Sequence, residues 1–194
     1  MIAIIDYKMG NLRSVENALK RLGAEFVVTA DAEVIRRADR VLLPGVGNAA
    51  EAMENLRKAD LVNVIRSLRR PVLGICVGMQ VMCRHSEEGD AKCLGIFDAR
   101  VKRFVPTAEE KVPHMGWNSI GNLESKLFKD IKGGEMVYYV HSYYPELCAD
   151  TIATSHYING FSGALGRDNF FGTQFHPEKS GIVGAQIIKN FLEL

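Results

Sequence analysis

The sequence predicts an α/β fold: a mostly parallel central sheet with helices on both faces, plus a β-rich antiparallel extension in the second half. Two observations lead to it. Up to about Arg84, short and nearly continuous apolar runs alternate with stretches of helical spacing, the pattern of strands covered on both faces. From about Lys92 the segments become shorter and β-rich, and Asn159-Gly160 and Asp168-Asn169 read as hairpin turns. The 194 residues carry no internal repeat, linker or low-complexity stretch, so one domain over 1–194 is expected.

Met1–Asp6 reads as a buried strand. Leu12, Val15, Leu19 and Leu22 then recur at helical spacing, and Gly23 is placed to end that helix. Glu25–Thr29 and Arg40–Leu43 are the next strands; Pro44–Gly47 breaks the pattern, and helix follows to about Arg69 in two pieces. Pro71–Cys76 is a buried strand leading into a helix expected to run from Gly78 to about Arg84. Further on, Ala99–Val105, Val112–Ile120, Met136–His141, Thr151–Ile158, Gly163–Leu165 and Phe170–Phe175 read as strands. Ser180 is expected to cap a last helix whose Val183, Ile187 and Phe191 face the core, flanked by Ile188 and Leu192.

Composition narrows the function classes. The 24 Lys and Arg against 23 Asp and Glu leave a charge of +1, too little field to attract a nucleic-acid backbone. No apolar run approaches the ~18 residues needed to span a bilayer. Cys76, Cys83, Cys93 and Cys148 form no CxxC and no zinc-finger pairing with histidine. The first residues read as core strand rather than leader, so a reducing cytoplasmic setting is expected.

Gly74-Ile75-Cys76-Val77-Gly78 is G-x-C-x-G at a strand-to-helix junction, the thiol counterpart of a nucleophile elbow. A nucleophile on so tight a turn has strained backbone angles, and larger neighbours would collide. The N–H groups that follow sit at a helix start, where they favour a thiolate and donate to a developing oxyanion. The blander reading of Cys76 is a small buried hydrophobe. Gln80 lies one helical turn on, either positioned to orient a substrate or an ordinary surface glutamine. In His176-Pro177-Glu178, residues i and i+2 point to one side and Pro177 stiffens the pair, giving a histidine oriented by a carboxylate. Its alternative is a surface His and Glu after a strand.

Pro44-Gly45-Val46-Gly47 offers a backbone that a ligand can approach closely. A rival reading, from Gly45-Val46-Gly47-Asn48-Ala49-Ala50, is the dinucleotide fingerprint G-x-G-x-x-A; Pro44 before it and the lack of an acid at a following strand end stand against it. His114 and His141 are weaker candidates, and His85 and His156 have no obvious partners. Arg100, Lys102 and Arg103 mark a solvated strand face. Tyr138, Tyr139, Tyr143 and Tyr144 either line a pocket or fill the core.

PGVG, GICVGMQ and QFHPE, in this order and spacing, resemble the three signatures of the class I (triad) glutamine amidotransferases. PHMGWN, the opening Tyr7-Lys8-Met9-Gly10-Asn11-Leu12, and HPEKS make the chain similar, over essentially its whole length, to the glutaminase subunits of imidazole glycerol phosphate synthase. The resemblance implies a class I glutamine amidotransferase-like fold, L-glutamine as substrate, no cofactor and no metal. It implies that Cys76 attacks the amide, His176 relays the proton and Glu178 orients His176. It places Val46 and Val77 at the oxyanion, and Gly45, Gly47, Gln80, Ser142 and Tyr143 on the glutamine. The implied partner is a separate (β/α)8 cyclase subunit in a heterodimer of histidine biosynthesis, met through Gly10, Asn11, Trp117, Tyr138 and Lys179. Alternatives are an ammonia-supplying paralogue for a surface-sugar amidotransferase, a γ-glutamyl peptidase, and a non-catalytic scaffold that binds a partner.

Overall fold

The computed structural model describes all 194 residues. β1 (Ile2–Ile5), α1 (Leu12–Arg21), β2 (Phe26–Thr29), α2 (Ala32–Arg37), β3 (Arg40–Gly45), α3 (Ala49–Lys58), α4 (Leu61–Ser67) and β4 (Val72–Cys76) build the parallel half. β3 lies between β1 and β4, β2 flanks β1, and all four run parallel. Every residue of β1 and β4 is buried, as a strand covered on both faces requires. Where helix α1 ends, Gly23 takes φ +67°, a conformation a side chain would strain.

After α5 (Val77–Gln80) come β5 (His85–Ser86), β6 (Ala91–Lys92), β7 (Arg100–Arg103), the hairpin β8 (His114–Ser119) with β9 (Met136–His141), and β10 (Tyr143–Pro145). β10, β7, β5 and β6 make a small second sheet. β11 (Thr151–Tyr157), β12 (Asn159–Arg167) and β13 (Phe170–Thr173) complete the seven-stranded sheet, in the order β11-β12-β13-β4-β3-β1-β2. β13 pairs parallel to β4, so the chain after residue 173 leaves the sheet beside Cys76. α6 (Gly181–Glu193) packs Ile187 and Phe191 fully into the core.

Four expectations need correction. The helix after Cys76 stops at Gln80 rather than near Arg84. The carbonyls of Val81, Met82 and Cys83 accept from Leu94, Ile96, Phe97 and Gly95 instead of continuing a helix, so a tertiary loop ends it. α2 was not expected: six residues are too short to show a period, although Asp31 caps it by accepting from the Glu33 and Val34 N–H groups. The β11–β12 hairpin turns at Ile158 (φ +56°), with Asn159 and Gly160 already paired in β12. There the Ile158 N–H is held by Glu110 Oε1. Ser180 does precede α6 but makes no side-chain cap: its hydroxyl donates to the His176 carbonyl and accepts from the Tyr138 N–H, tying the segment after β13 to β9.

The β8–β9 hairpin has two unlike faces because successive residues alternate. His114, Tyr139 and His141 are buried on one. Met115 and Trp117, with Tyr138 and Met136 on the paired strand, lie on the other, and Trp117 is 53 % exposed.

Candidate active site

Cys76 ends β4 with φ +55° and ψ −112°, a conformation an L-residue holds only when its surroundings impose it. The two flanking glycines show why. A Cβ on Gly78 would stand 1.8 Å from the Leu43 carbonyl oxygen, and one on Gly74 would stand 2.7 Å from the Gly78 carbonyl oxygen. β3, β4 and the first turn of α5 approach more closely than any side chain permits. Gly45, paired with Cys76 across the sheet, is equally crowded: a Cβ there would meet the Tyr7 hydroxyl at 2.6 Å and the Gly78 nitrogen at 2.7 Å.

His176 follows β13 and reaches the same place from the neighbouring strand. Its ring is buried, and its Nδ1 lies 2.8 Å from Glu178 Oε1, both side chains being 2 % exposed. A carboxylate accepts, so Nδ1 carries the proton and donates. Nε2 has no partner inside the protein. Burial works against a charge on His176, but the Cys76 sulfur and the Glu178 carboxylate outweigh it and push the pKa up to about 10. A proton that reaches His176 is therefore held well there by the groups on either side.

Cys76, Val77, Gln80, His176, Val46, Gly47, Ser142 and Tyr143 line one cavity of about 310 Å³, with Glu88, Pro113, Val140 and His141 closing it. That volume lies at the lower end of small-molecule sites. Eight of the ten residues expected at the chemistry or the substrate thus line one space; Glu178 adjoins it through His176, and Gly45 lies beneath, paired with Cys76, where the crowding described above fixes the turn. The dinucleotide alternative fails here. The N–H groups opening α3 are occupied: Ala49 donates to Glu88 Oε2, and Ala50 and Glu51 donate to Asn48 Oδ1, which leaves no cradle for a phosphate.

Comparison with known proteins gives the family. The glutamine amidotransferase class-I family profile matches residues 3–194. The imidazole glycerol phosphate synthase subunit HisH of Bacteroides thetaiotaomicron is 56 % identical over 194 residues, covering 100 % of this chain and 99 % of its own. That of Bacteroides fragilis is 59 % identical with the same coverage, and that of Pectobacterium atrosepticum 47 % identical over 195 residues, again at 100 % and 99 %. The chain belongs to the class-I glutamine amidotransferases, within the HisH family. Among solved structures, a glutamine amidotransferase crystal structure superposes with TM-score 0.75 at 18 % identity, covering 100 % of this chain and 98 % of that one. A glutamine amidotransferase from Thermotoga maritima superposes with TM-score 0.65 at 20 % identity, covering 99 % and 80 %. Both show the fold alone.

In this amidotransferase one site-lining carboxylate was invisible to sequence reasoning. Glu88 belongs to the turn after β5 and enters the cavity wall by capping α3, a contact across 39 positions. His114 and His141 meet at 2.9 Å between Nδ1 and Nε2. His141 Nδ1 donates to the Tyr143 carbonyl at 2.8 Å, so its Nε2 accepts and His114 Nδ1 donates. His85 also has a partner that was missed, Asp90 Oδ1 at 2.7 Å.

Burial lowers the pKa of His114 to about 4 and that of His141 to about 3. Both values lie below the ordinary ~6.5, so the unfolded chain takes up protons first as pH falls, and stability declines from about pH 7 toward pH 4. Thermal melts across that range should therefore show a falling midpoint, and His114→Asn should flatten the slope. An unchanged slope in the variant would remove the pair as its cause.

Of the residues expected at a partner surface, Tyr138, Trp117 and Lys179 adjoin. The Trp117 and Tyr138 rings are 6.0 Å apart, and Lys179 Nζ lies 6.0 Å from the Tyr138 ring centre. Gly10 lies against the Pro44 backbone, at the rim of the glycine turn, and Asn11 caps α1 by accepting from the Ser14 N–H.

Proposed function

We propose that this chain is the glutaminase subunit of an imidazole glycerol phosphate synthase, acting as one domain over residues 1–194. The observation that carries the reading is the Cys76 elbow sharing one cavity with a histidine whose far nitrogen is engaged by Glu178 and whose near nitrogen is free. His176 takes the thiol proton as the sulfur attacks the side-chain amide carbon of L-glutamine. The oxyanion is held by the Val77 N–H and, once the Gly45–Val46 peptide turns, by the Val46 N–H. The imidazolium then gives its proton to the leaving nitrogen. Ammonia departs, leaving a γ-glutamyl thioester on Cys76, and water activated by the neutral His176 releases glutamate.

The rest of the cavity suits the amino-acid end of glutamine. Gly47, Gln80, Ser142 and Tyr143 hold it, and Glu88 supplies a carboxylate for the ammonium group. Both N–H bonds of Gln80 are engaged within the protein, so what Gln80 offers a ligand is its oxygen.

Ammonia is useful to a synthase only while unprotonated, so a glutaminase that delivers it gains from a closed path to its acceptor. The partner is the cyclase subunit, docked on Gly10, Asn11, Trp117, Tyr138 and Lys179. The exposed apolar side chains of Met115, Trp117 and Met136 support this surface. Four free thiols and the HisH relatives support a reducing, cytoplasmic heterodimer. A glutamine-analogue diazo-ketone should alkylate Cys76 once per chain, and glutamine should protect against it. Alkylation elsewhere, or without protection, would defeat the reading. Affinity capture from the source cell should recover the cyclase; recovery of a sugar-modifying synthase instead would reassign the pathway.

A further inference from the structure

Gln174 lies between the end of β13 and His176, and the mechanism above does not use it. Alternation along Gln174-Phe175-His176 sends Phe175 into the core and turns the other two toward Cys76. Backbone bonds pin the run on both sides, from the Gln174 N–H to the Gly163 carbonyl and from the His176 N–H to the Tyr138 carbonyl, each 2.9 Å. Gln174 is fully buried.

Its amide has one permitted orientation. The Tyr143 carbonyl can only accept, so the Gln80 atom 3.0 Å from it is Nε2. The other hydrogen of that nitrogen points to the Gln174 atom 2.9 Å away, which must therefore be oxygen. The Gln174 nitrogen is left facing the Cys76 sulfur at 3.7 Å. The Tyr143 carbonyl is fixed in turn by His141 Nδ1. A chain of directed bonds thus runs from the buried histidine pair to the nucleophile.

We propose that Gln174 is a further catalytic residue, an amide donor that favours the thiolate of Cys76; this rests on the reading of Cys76 as the nucleophile. A donor aimed at sulfur stabilises the anion more than the neutral thiol. It acts at two points of the cycle, when the thiol gives its proton to His176 and when the thioester breaks and the sulfur leaves as an anion. A glutamine that merely filled the core would need only its oxygen, to accept from Gln80.

The test is the pH dependence of iodoacetamide alkylation of Cys76 in the full chain, with Cys76→Ala giving the background from the other thiols. Gln174→Met keeps the bulk and removes the donor. Its alkylation midpoint should rise by about one pH unit, making the reaction about tenfold slower on the acid side, with the alkaline plateau unchanged. Gln174→Glu keeps the acceptor for Gln80 and should shift the midpoint at least as far. Profiles that superimpose on the wild type overturn the proposal.

Should either variant fail to fold, the wild-type chain still decides. The Gln174 side-chain amide resonance should move with pH at the alkylation midpoint, and that step should vanish in Cys76→Ala; a missing step in the wild type overturns the proposal. The two readings fail differently. Glutamine hydrolysis surviving in Cys76→Ala removes the nucleophile assignment, whereas an inactive Cys76→Ala with superimposed profiles removes only the role of Gln174.

Discussion

Glutamine hydrolysis should fall by about four orders of magnitude or more in Cys76→Ala, measured as glutamate released by the complex with the cyclase. Without the sulfur there is nothing to form the acyl intermediate, and the remaining donors around the cavity bind substrate without opening a covalent route. The same variant should keep cyclase turnover when ammonium salt replaces glutamine at mildly alkaline pH, because the proposed function puts the acceptor site in the partner. The loss is chemical rather than structural. The turn at residue 76 is imposed by Gly74 and Gly78, and removing one small buried atom should change stability by only about 1 kcal/mol. Glutamate production that persists in the purified variant would remove Cys76 from the reaction. A parallel loss of ammonium-dependent turnover would instead point to a damaged complex.

How much of this was readable beforehand depends on whether a feature is local. G-x-C-x-G and H-P-E declare their geometry within five residues, because a tight turn excludes side chains and an extended tripeptide aligns its ends. β1 and β4 were equally legible, since strands buried on both faces are apolar at every position. The end of α5 was not legible, because the bonds that stop it come from residues 94–97 and only the folded chain brings them there. Glu88 was silent for the same reason, and Gln174, although it opens QFHPE, had no readable role of its own. Each gains its meaning from a partner far along the chain, Ala49 for one and Gln80 for the other, across 39 and 94 positions. The buried His114–His141 pair likewise exists only because β8 and β9 align in register, with His114 opposite His141. Sequence motifs thus pointed to the elbow thiol and the carboxylate-paired histidine that share one cavity, and the groups bonded around them emerged only in three dimensions.

Gly78→Ala should be among the most damaging single methyl groups that can be added to this molecule. Gly78 has no left-handed φ, so the penalty is steric and not conformational. The added carbon would stand 1.8 Å from the Leu43 carbonyl oxygen and 2.9 Å from its carbon. Both belong to the backbone of β3, which is paired to β1 on one side and β4 on the other. A flexible side chain could swing away, but a central strand cannot move without breaking its ladders. Relief must come from pushing α5 off the sheet, which carries Gln80 away from Gln174 and turns Cys76 out of the cavity. We expect failure to fold, or a loss of about 4 kcal/mol or more in denaturant midpoint terms, with glutaminase activity lost alongside. Gly133→Ala is the matched control, since a Cβ there meets nothing within 4 Å, and its effect should stay within about 0.5 kcal/mol. Equal stabilities for the two variants in urea titrations would mean that β3 and α5 do not pack as closely as the Leu43–Gly78 approach requires.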